Sequence, residues 1–264
     1  MPELGEVEYF RRCWDPGLGS TILGVQLHRE KRVFRGMNTG ALKRRLVGQK
    51  LLRSQTKGKQ MLFVFSGDTW LGIHLGMSGT LRTEPAGFRL GKHDHLCLAQ
   101  RERALVFRDP RQFGRVRLHH GKTPPDWWDA AVPEIYSSGF TQHWLREFLR
   151  RHPGAPLKSV LLLQRGFPGI GNWMADEILW RAQVAPRRRG AELNERELAA
   201  IWRSARFVGR AALRTIGRDN SDLPRNWLLH QRWKESGKCP KHKTRLRRER
   251  IGGRTTAWCP QCQR

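Results

Sequence analysis

The chain has 264 residues, and its 50 Lys and Arg against 23 Asp and Glu give a formal net charge of +27. This length suits one large domain or two modest ones, each able to bury a core. No apolar run approaches the ~20 residues of a membrane-spanning helix, and the first residues lack the basic-then-apolar order of a secretory signal. A polyanion is the expected partner, because neutralised phosphates release counterions. A solvated basic surface or a ribosome-bound protein is the alternative explanation.

The N-terminal half has the pattern of a β-structure. Residues 20–120 alternate short apolar runs with Gly-containing turns, for example at 62–65, 71–75 and 104–107. Runs of this length bounded by turn residues are typical of strands, and their number predicts a β-sandwich or barrel. A Pro-rich, polar segment at 121–132 predicts a linker.

The pattern becomes helical after the linker, because apolar residues recur there at spacings of three and four. These residues are Leu145, Phe148, Leu149, Ile178, Leu179, Ala182, Leu198, Ile201, Trp202 and Ala205. The tail from about residue 231 is strongly basic and ends in a cysteine cluster. The sequence therefore predicts an α+β protein with a β-rich N-terminal half, a helical C-terminal half and a small metal-bound appendage.

The C-terminal tail contains two pairs of soft metal ligands, with two residues inside each pair and sixteen between the pairs. They are Cys239, His242, Cys259 and Cys262. Such pairs close a tetrahedron around Zn²⁺, and three thiolates with one imidazole fill a structural site that leaves no position open for chemistry. Redox-active cysteines are the alternative. Cys13 and Cys97 stand alone, which favours a reducing compartment over a disulfide framework.

A hairpin is expected between the two ligand pairs. Gly252 and Gly253 would join its strands and place Arg254 at the tip. A basic β-ribbon held rigid by a metal is suited to grip DNA. The same arginines are equally compatible with a solvated face.

Four further segments match one family. They are residues 1–8 (MPELGEVE), 74–79 (HLGMSG), 109–114 (DPRQFG) and 169–179 (GIGNWMADEIL). Together with the zinc hairpin, and in this order along nearly the whole chain, they resemble the formamidopyrimidine-DNA glycosylase and endonuclease VIII family. The last segment looks like the family's helix–two-turns–helix element.

The resemblance implies a domain organisation. It implies an N-terminal β-sandwich catalytic domain at 1–120 and a helical, helix–two-turns–helix DNA-binding domain at 133–230. A zinc finger would occupy 231–264, and the segment 121–132 would be the linker.

The resemblance also implies a chemistry centred on Pro2. Removal of Met1 would leave a secondary amine, and an α-amino pKa of roughly 8 keeps a useful neutral fraction at pH 7. In the family this amine attacks C1′ of a damaged nucleotide and forms a Schiff base as the base departs. The iminium then acidifies a sugar proton, and β,δ-elimination cuts the strand. The expected activity is that of a bifunctional glycosylase and abasic-site lyase in base excision repair.

Neighbouring residues of the first motif carry supporting roles by the same resemblance. Glu3 would shuttle protons to the sugar oxygen or the departing base. Glu6 would support the terminus by hydrogen bonding. Gly5 stands where the family usually has a second proline, and we expect it to loosen the backbone near the nucleophile.

Phosphate contacts are expected at three positions that match the family. Lys59 matches the lysine that contacts the phosphate beside the lesion, with Lys57 as the competing assignment. Asn172 and Arg254 match the other two contacts. Gly171 would allow close backbone approach, and the amides at the following helix start are expected to bind phosphate oxygens.

Extrusion of the target nucleotide leaves a hole in the base stack. By resemblance, Met77, Arg111 and Phe113 fill it, since a thioether and a ring wedge between bases while a guanidinium bonds the orphaned base. Taken singly, Met77 and Phe113 are more typical of core residues. His74 belongs to the same set of DNA contacts, with a buried interior histidine as the alternative.

The segment 217–227 is short where the 8-oxoguanine-removing branch holds a longer loop over the everted base. A compact segment implies an open pocket and weaker selection by base-edge hydrogen bonds. Formamidopyrimidines, oxidised pyrimidines and bulkier adducts are therefore all candidate lesions.

The expected partner is damaged double-stranded DNA, bound by a monomer in the bacterial cytoplasm at the nucleoid. A non-catalytic damaged-DNA-binding protein on the same scaffold is the first alternative function. A zinc-ribbon RNA-binding or ribosomal protein is the second.

Overall fold

The structure is a computed structural model that describes residues 1–128 and 132–264. The described residues form two compact units, one of residues 1–2 and 6–128 and the other of residues 3–5 and 132–264. Residues 129–131 of the predicted linker lie outside the described residues. The domain bounds predicted from the sequence stay a prediction.

The secondary structure of the described residues comprises α-helices, β-strands and short 3-10 helices. The α-helices are α1 Leu4–Arg12, α2 Thr39–Leu46, α3 Gln142–Arg150, α4 Leu157–Leu161, α5 Asn172–Ala182, α6 Glu195–Arg214 and α7 Ile216–Asp219. The strands are β1 Gly24–Leu27, β2 Leu51–Lys57, β3 Gln60–Phe65, β4 Thr69–His74, β5 Thr80–Pro85, β6 Asp94–Ala99, β7 Arg103–Arg108, β8 Arg115–His120, β9 Arg247–Ile251 and β10 Arg254–Trp258. The 3-10 helices are Asp15–Gly17, Arg32–Phe34, Gly190–Glu192 and Leu228–His230.

The first unit is a β-sandwich, one of the two architectures that the alternating apolar runs predicted. One antiparallel sheet has the strand order β1-β6-β7-β5 and the other the order β2-β3-β4-β8. Side chains from both sheets share one apolar cluster, including Phe63 and Ile73 from one sheet and Leu98 and Phe107 from the other. Alternate residues of each strand therefore form a common core between the sheets.

Two tryptophans cover part of the outer face of the second sheet. Trp127 and Trp128 pack against three buried side chains of that face, which are Leu62, Val64 and Trp70. A Cβ at Gly72 would overlap the ring of Trp127. Glycine at this position therefore lets the indole lie directly on the β4 backbone.

The second unit is helical and ends in a hairpin, which confirms the predicted α+β class. The helices α3, α5 and α6 coincide with the segments of three-and-four apolar spacing. A capping box starts α6, because Asn194 and Glu197 exchange side-chain-to-backbone hydrogen bonds of 2.9 Å. Ile178 and Ile201 lie in the core of this unit.

The sequence reading missed helix α1. Leu4, Val7 and Arg11 are buried at spacings of three and four, and Glu8 accepts hydrogen bonds from the guanidinium of Arg11. This helical periodicity is present in the sequence but overlaps the motif at 1–8 that carries the predicted chemistry.

The expectation that Gly5 loosens the backbone is wrong. Gly5 lies inside α1 and is buried. A Cβ there would be 2.8 Å from the carbonyl oxygen of Ala212 and 3.1 Å from the Cβ of Ile216. Glycine at this position thus permits a close approach to the end of α6, and the backbone is held by packing.

Replacing Gly5 by Ala tests this close approach. We expect Gly5→Ala to lower the free energy of unfolding by about 1–3 kcal/mol, because the Ala212 carbonyl is backbone and moves only with α6. Chemical denaturation of the two proteins measures the difference.

Gly154→Ala is the matched control, since a Cβ at Gly154 meets nothing within 4 Å. We expect it to change stability by no more than about 0.5 kcal/mol. Equal stability of the Gly5→Ala and parent proteins would show that the contact imposes no constraint.

Candidate functional site

The carboxylate of Glu3 lies at the N-terminus of α5. Glu3 is 3% exposed and accepts backbone N–H bonds from Gly171 at 3.0 Å, Trp173 at 3.0 Å and Met174 at 3.1 Å. Unpaired amides and the helix dipole both favour an anion at such an end. A Cβ at Gly171 would overlap the Glu3 carboxylate, so glycine is required for this contact.

The expectation that these amides bind phosphate oxygens is wrong. The N–H groups of Gly171, Trp173 and Met174 already donate to Glu3. The helix end therefore holds an anion supplied by the chain itself, and a phosphate there would have to displace a buried carboxylate.

The start of the chain is further held by its backbone. The N–H of Leu4 donates to the carbonyl of Gly169 at 3.1 Å, and Gly169 has a φ of 92°, in the left-handed region that favours glycine. Pro2 is partly exposed and directly precedes this anchored segment, while Glu6 lies in the first turn of α1. The position of Pro2 is thus restricted by its neighbours.

Asn172 contacts the C-terminal hairpin, which carries Arg254. Both residues are predicted phosphate contacts. The side-chain amide of Asn172 donates to the carbonyl of Thr255 at 2.9 Å, next to Arg254. Gly252 and Gly253, with φ of 57° and 74°, form the predicted turn, and Arg254 pairs with Ile251 directly after it. Arg254 is exposed at this tip.

A buried carboxylate that the sequence reading did not identify fixes the hairpin to α5. Asp176 is 1% exposed and accepts hydrogen bonds from Lys158, from Arg232 and from the N–H of Ala257 in β10. Burial lowers the pKa of Lys158, and the charge of Asp176 opposes this effect. In the sequence, the sign of this role is that Asp176 is an acidic residue within an apolar helical segment.

The four predicted metal ligands converge at the base of the hairpin. The ligand atoms of Cys239, His242, Cys259 and Cys262 all lie within 4.8 Å of one another. The Sγ of Cys239 is 3.7 Å from Nδ1 of His242. The three cysteines are buried, which is typical of a closed structural site.

In the sandwich unit, Lys59 is buried and His74 is partly buried. Lys59 lies between β2 and β3 and is 7% exposed, whereas Lys57 is less buried. The pKa of His74 is lowered, first by burial and then by the positive charges of Lys59, Arg117 and Arg35. Its Nδ1 accepts the N–H of Gly76 at 3.1 Å. A neutral ring with this bond carries its proton on Nε2.

The buried carboxylate of Asp109 joins the two loops that carry the predicted void-filling residues. It accepts the hydroxyl of Ser78 at 2.7 Å and the N–H of Gly114 at 2.7 Å. A Cβ at Gly76, whose φ is 66°, would overlap the backbone of Phe113 and Gly114. The turn that contains Met77 therefore packs directly against the loop that contains Phe113.

Met77 and Phe113 are not core residues. They are 39% and 41% exposed, and the guanidinium of Arg111 lies 5.1 Å from the centroid of the Phe113 ring. Large apolar side chains held exposed on rigid adjacent loops indicate an interaction surface.

Comparison with known proteins identifies the family. The model of the formamidopyrimidine-DNA glycosylase N-terminal domain matches residues 1–116, and that of the H2TH domain matches residues 132–222. The formamidopyrimidine-DNA glycosylase of Carboxydothermus hydrogenoformans is 32% identical over 100% of both chains. That of Thermus thermophilus is 34% identical over 100% of this chain and 98% of its own. The chain belongs to the formamidopyrimidine-DNA glycosylase family.

As a family member, the chain is a DNA-repair glycosylase, and the alternative of an RNA-binding or ribosomal zinc-ribbon protein is wrong. Solved structures agree. The Lactococcus lactis Fpg protein in complex with a THF-DNA and an inhibitor has a TM-score of 0.89, 27% identity and 100% coverage of both chains. Its complex with abasic-site DNA has a TM-score of 0.88, 27% identity and 99% coverage of both chains. None of the described helices is long and apolar enough to cross a membrane.

Gly171→Ala tests the placement of Glu3. The backbone of Gly171 is extended, so alanine adds no strain of its own but its Cβ occupies the space of the Glu3 carboxylate. We expect base excision to fall by at least about tenfold, because even ~1 Å of misplacement at a reacting centre is costly. Single-turnover excision from a duplex with one formamidopyrimidine measures the effect, and Gly154→Ala should excise normally. Normal excision by Gly171→Ala would contradict a role for this contact.

Proposed function

We propose that the chain removes damaged bases from double-stranded DNA through a Schiff base on Pro2 and then cuts the strand at the abasic site. The observation that carries the proposal is the Glu3 carboxylate held by three amides at the start of α5, beside Pro2. Solved complexes of the Lactococcus lactis relative contain abasic-site DNA and N7-benzyl-Fapy-dG-containing DNA, at 27% and 26% identity.

The chemistry begins when removal of Met1 exposes the secondary amine of Pro2. The nitrogen lone pair forms a bond to C1′, and the damaged base leaves with the electrons of the glycosidic bond and a proton. Opening of the sugar gives an iminium, which withdraws electrons from C2′. Loss of a C2′ proton then expels the 3′ phosphate, and loss of a C4′ proton expels the 5′ phosphate. Water hydrolyses the remaining iminium, which releases the sugar fragment and frees Pro2.

Glu3 is the proton carrier in this proposal. Three N–H bonds hold its carboxyl group in place, and in this proposal the group takes up a proton and then passes it to the sugar oxygen or the departing base. Glu6, in the first turn of α1, supports the terminus.

The remaining predicted residues bind the duplex. Lys59 of the sandwich unit, and Asn172 and Arg254 of the helical unit, contact backbone phosphates. His74 of the sandwich unit is a further DNA contact. The exposed side chains on the two adjacent loops fill the space of the extruded nucleotide, and they are Met77, Arg111 and Phe113.

A broad lesion range follows from the segment after α6. Helix α7 ends at Asp219, and Leu223 and Trp227 are already buried again, with the His230 ring bonded to the Leu223 carbonyl at 2.8 Å. Only short stretches of chain lie between Asp219, Leu223 and Trp227, and such stretches are too short to cover a base. We therefore propose formamidopyrimidines, oxidised pyrimidines and bulkier adducts as substrates, since an open pocket selects weakly by base-edge bonds.

Zn²⁺ is the metal that best fits the four-ligand cluster. Three thiols and an imidazole with converging donor atoms match a closed tetrahedral zinc site. Bound zinc would supply folding energy to the hairpin that carries Arg254. We propose further that the protein acts as a monomer with the domain bounds 1–120, 133–230 and 231–264 joined by the linker 121–132.

A blocked terminus tests the nucleophile. A retained N-terminal tag should abolish covalent trapping with abasic DNA and borohydride, because no free amine remains. Tag removal that leaves Pro2 first should restore it. Pro2→Gly should weaken the reaction without erasing it, since a primary amine still forms an imine. Normal cutting by a protein whose terminus is shown by mass spectrometry to be blocked contradicts the mechanism.

Cys259→Ser tests the metal site. We expect it to lose bound zinc and most of its DNA affinity, because the hairpin depends on a complete ligand set. Metal analysis and fluorescence anisotropy with a duplex measure the two effects. Cys13→Ser, outside the cluster, should retain both. Full affinity without metal would contradict the role given to the hairpin.

A further inference from the structure

A cluster of arginines lies on the outer face of the second sheet, beside His74. In the strand register, His74 is opposite Arg115, and Gly72 is opposite Arg117 two residues further along. Residues two apart on a strand point to the same face, so both arginines share the face of His74. A cavity of about 190 Å³ is lined by Arg35, Gln60, Gly72, His74, Arg115 and Arg117.

The residues that line this cavity include three guanidinium groups and no carboxylate. Other arginines of the same unit do find acids, since Arg11 pairs with Glu8 at 2.8 Å and Arg82 with Asp94 at 2.9 Å. Within the described ranges 1–128 and 132–264, the three lining arginines make no such ion pair. We name Arg35, Arg115 and Arg117 the arginine cluster.

The cluster is held in place by contacts that leave donors unused. Arg35 donates to the carbonyls of Gly114 at 2.7 Å and Arg32 at 3.0 Å. The guanidinium of Arg117 lies 5.2 Å from the ring centroid of Trp127. The Nε of Arg115 is buried and has no hydrogen-bond acceptor among the described residues. A buried N–H without an acceptor is costly, so a group that accepts a hydrogen bond from this Nε would stabilise the site.

The like charges of the cluster act on one another. The pKa of Arg117 is lowered first by burial and then by the charges of Arg115 and Arg35. The pKa of Arg35 is lowered in the same way, with Arg115 as its largest charge contribution. Asp109, the acid whose charge acts on His74, is engaged by Ser78 and Gly114 outside the cavity lining. An anion between the guanidiniums would relieve this repulsion.

We propose that the arginine cluster binds a backbone phosphate of the DNA duplex, in addition to the phosphates contacted by Lys59, Asn172 and Arg254. Guanidinium groups bind phosphate oxygens through paired N–H donors, and the neutral His74 ring offers a further N–H. The choice of DNA as the source of the phosphate rests on the proposed function. The cluster thus extends the phosphate contacts along the sandwich unit beyond His74.

The salt dependence of duplex binding tests the site. Arg115→Gln with Arg117→Gln should reduce the slope of log affinity against log salt by about 1, and affinity for an undamaged duplex by roughly tenfold at 0.1 M salt. Fluorescence anisotropy between about 50 and 200 mM salt, a range over which one phosphate contact changes affinity by roughly 3.5-fold, gives both values. Arg44→Gln with Arg45→Gln removes the same charge from the exposed face of α2.

An equal loss of slope in the two double variants would show an effect of net charge and would overturn the proposal. An unchanged slope in the Arg115 and Arg117 variant would overturn it as well. A loss confined to that variant supports it.

NMR of the unmodified protein gives a test that needs no substitution. The Nε–H resonance of Arg115 should shift on addition of an equimolar undamaged duplex, and with inorganic phosphate only at millimolar concentration. If inorganic phosphate shifts the resonance at the same concentration as the duplex, the cluster is a site for free phosphate and the proposal is wrong. If neither phosphate nor duplex shifts the resonance, the cluster binds no phosphate and the proposal is also wrong.

A different result would contradict the proposed function without contradicting the arginine cluster. If the parent protein binds duplex but forms no borohydride-trapped complex, the Pro2 mechanism is wrong while the arginine cluster keeps its role.

Discussion

The structure depends on one electrostatic contact, between the carboxylate of Glu3 and the amides at the start of α5. A helix end with unpaired N–H groups stabilises a buried anion, and here the chain supplies that anion from its own third residue. Because Glu3 directly precedes α1, this contact holds the segment that follows Pro2. The close approach at Gly171 is the steric condition for this contact.

Two further buried carboxylates organise the predicted DNA contacts in the same manner. Asp176 bonds β10, Lys158 and Arg232, and Lys158 also donates to the carbonyl of Asn172. Asp109 holds the two loops that carry Met77 and Phe113. Among the described residues, cations such as Arg115 and Arg117 line a cavity that contains no carboxylate. With 50 Lys and Arg against 23 Asp and Glu, the chain has more cations than its acids can pair with.

Much of the architecture could be predicted from local sequence patterns. Alternation and three-and-four spacing identified strands such as β3 and helices such as α5, since these periodicities follow from backbone geometry alone. The Gly252–Gly253 turn and the four metal ligands were found because their spacing is a local requirement. Motif order along the chain identified the family. The roles of the site residues remain predictions that follow from that resemblance.

Tertiary structure alone decided which partners these residues have. Glu3 and Gly171 are 168 positions apart, and nothing in either segment shows that one occupies the amides expected to bind phosphate. The sequence likewise predicts flexibility at Gly5, whereas the structure places this residue in close contact with Ala212. The sequence by itself determined strands such as β3, helices such as α5, the family and the four candidate metal ligands, because each depends on neighbours along the chain. The anchoring carboxylates and the unpaired arginine cluster depend on packing between distant segments, which no local pattern encodes.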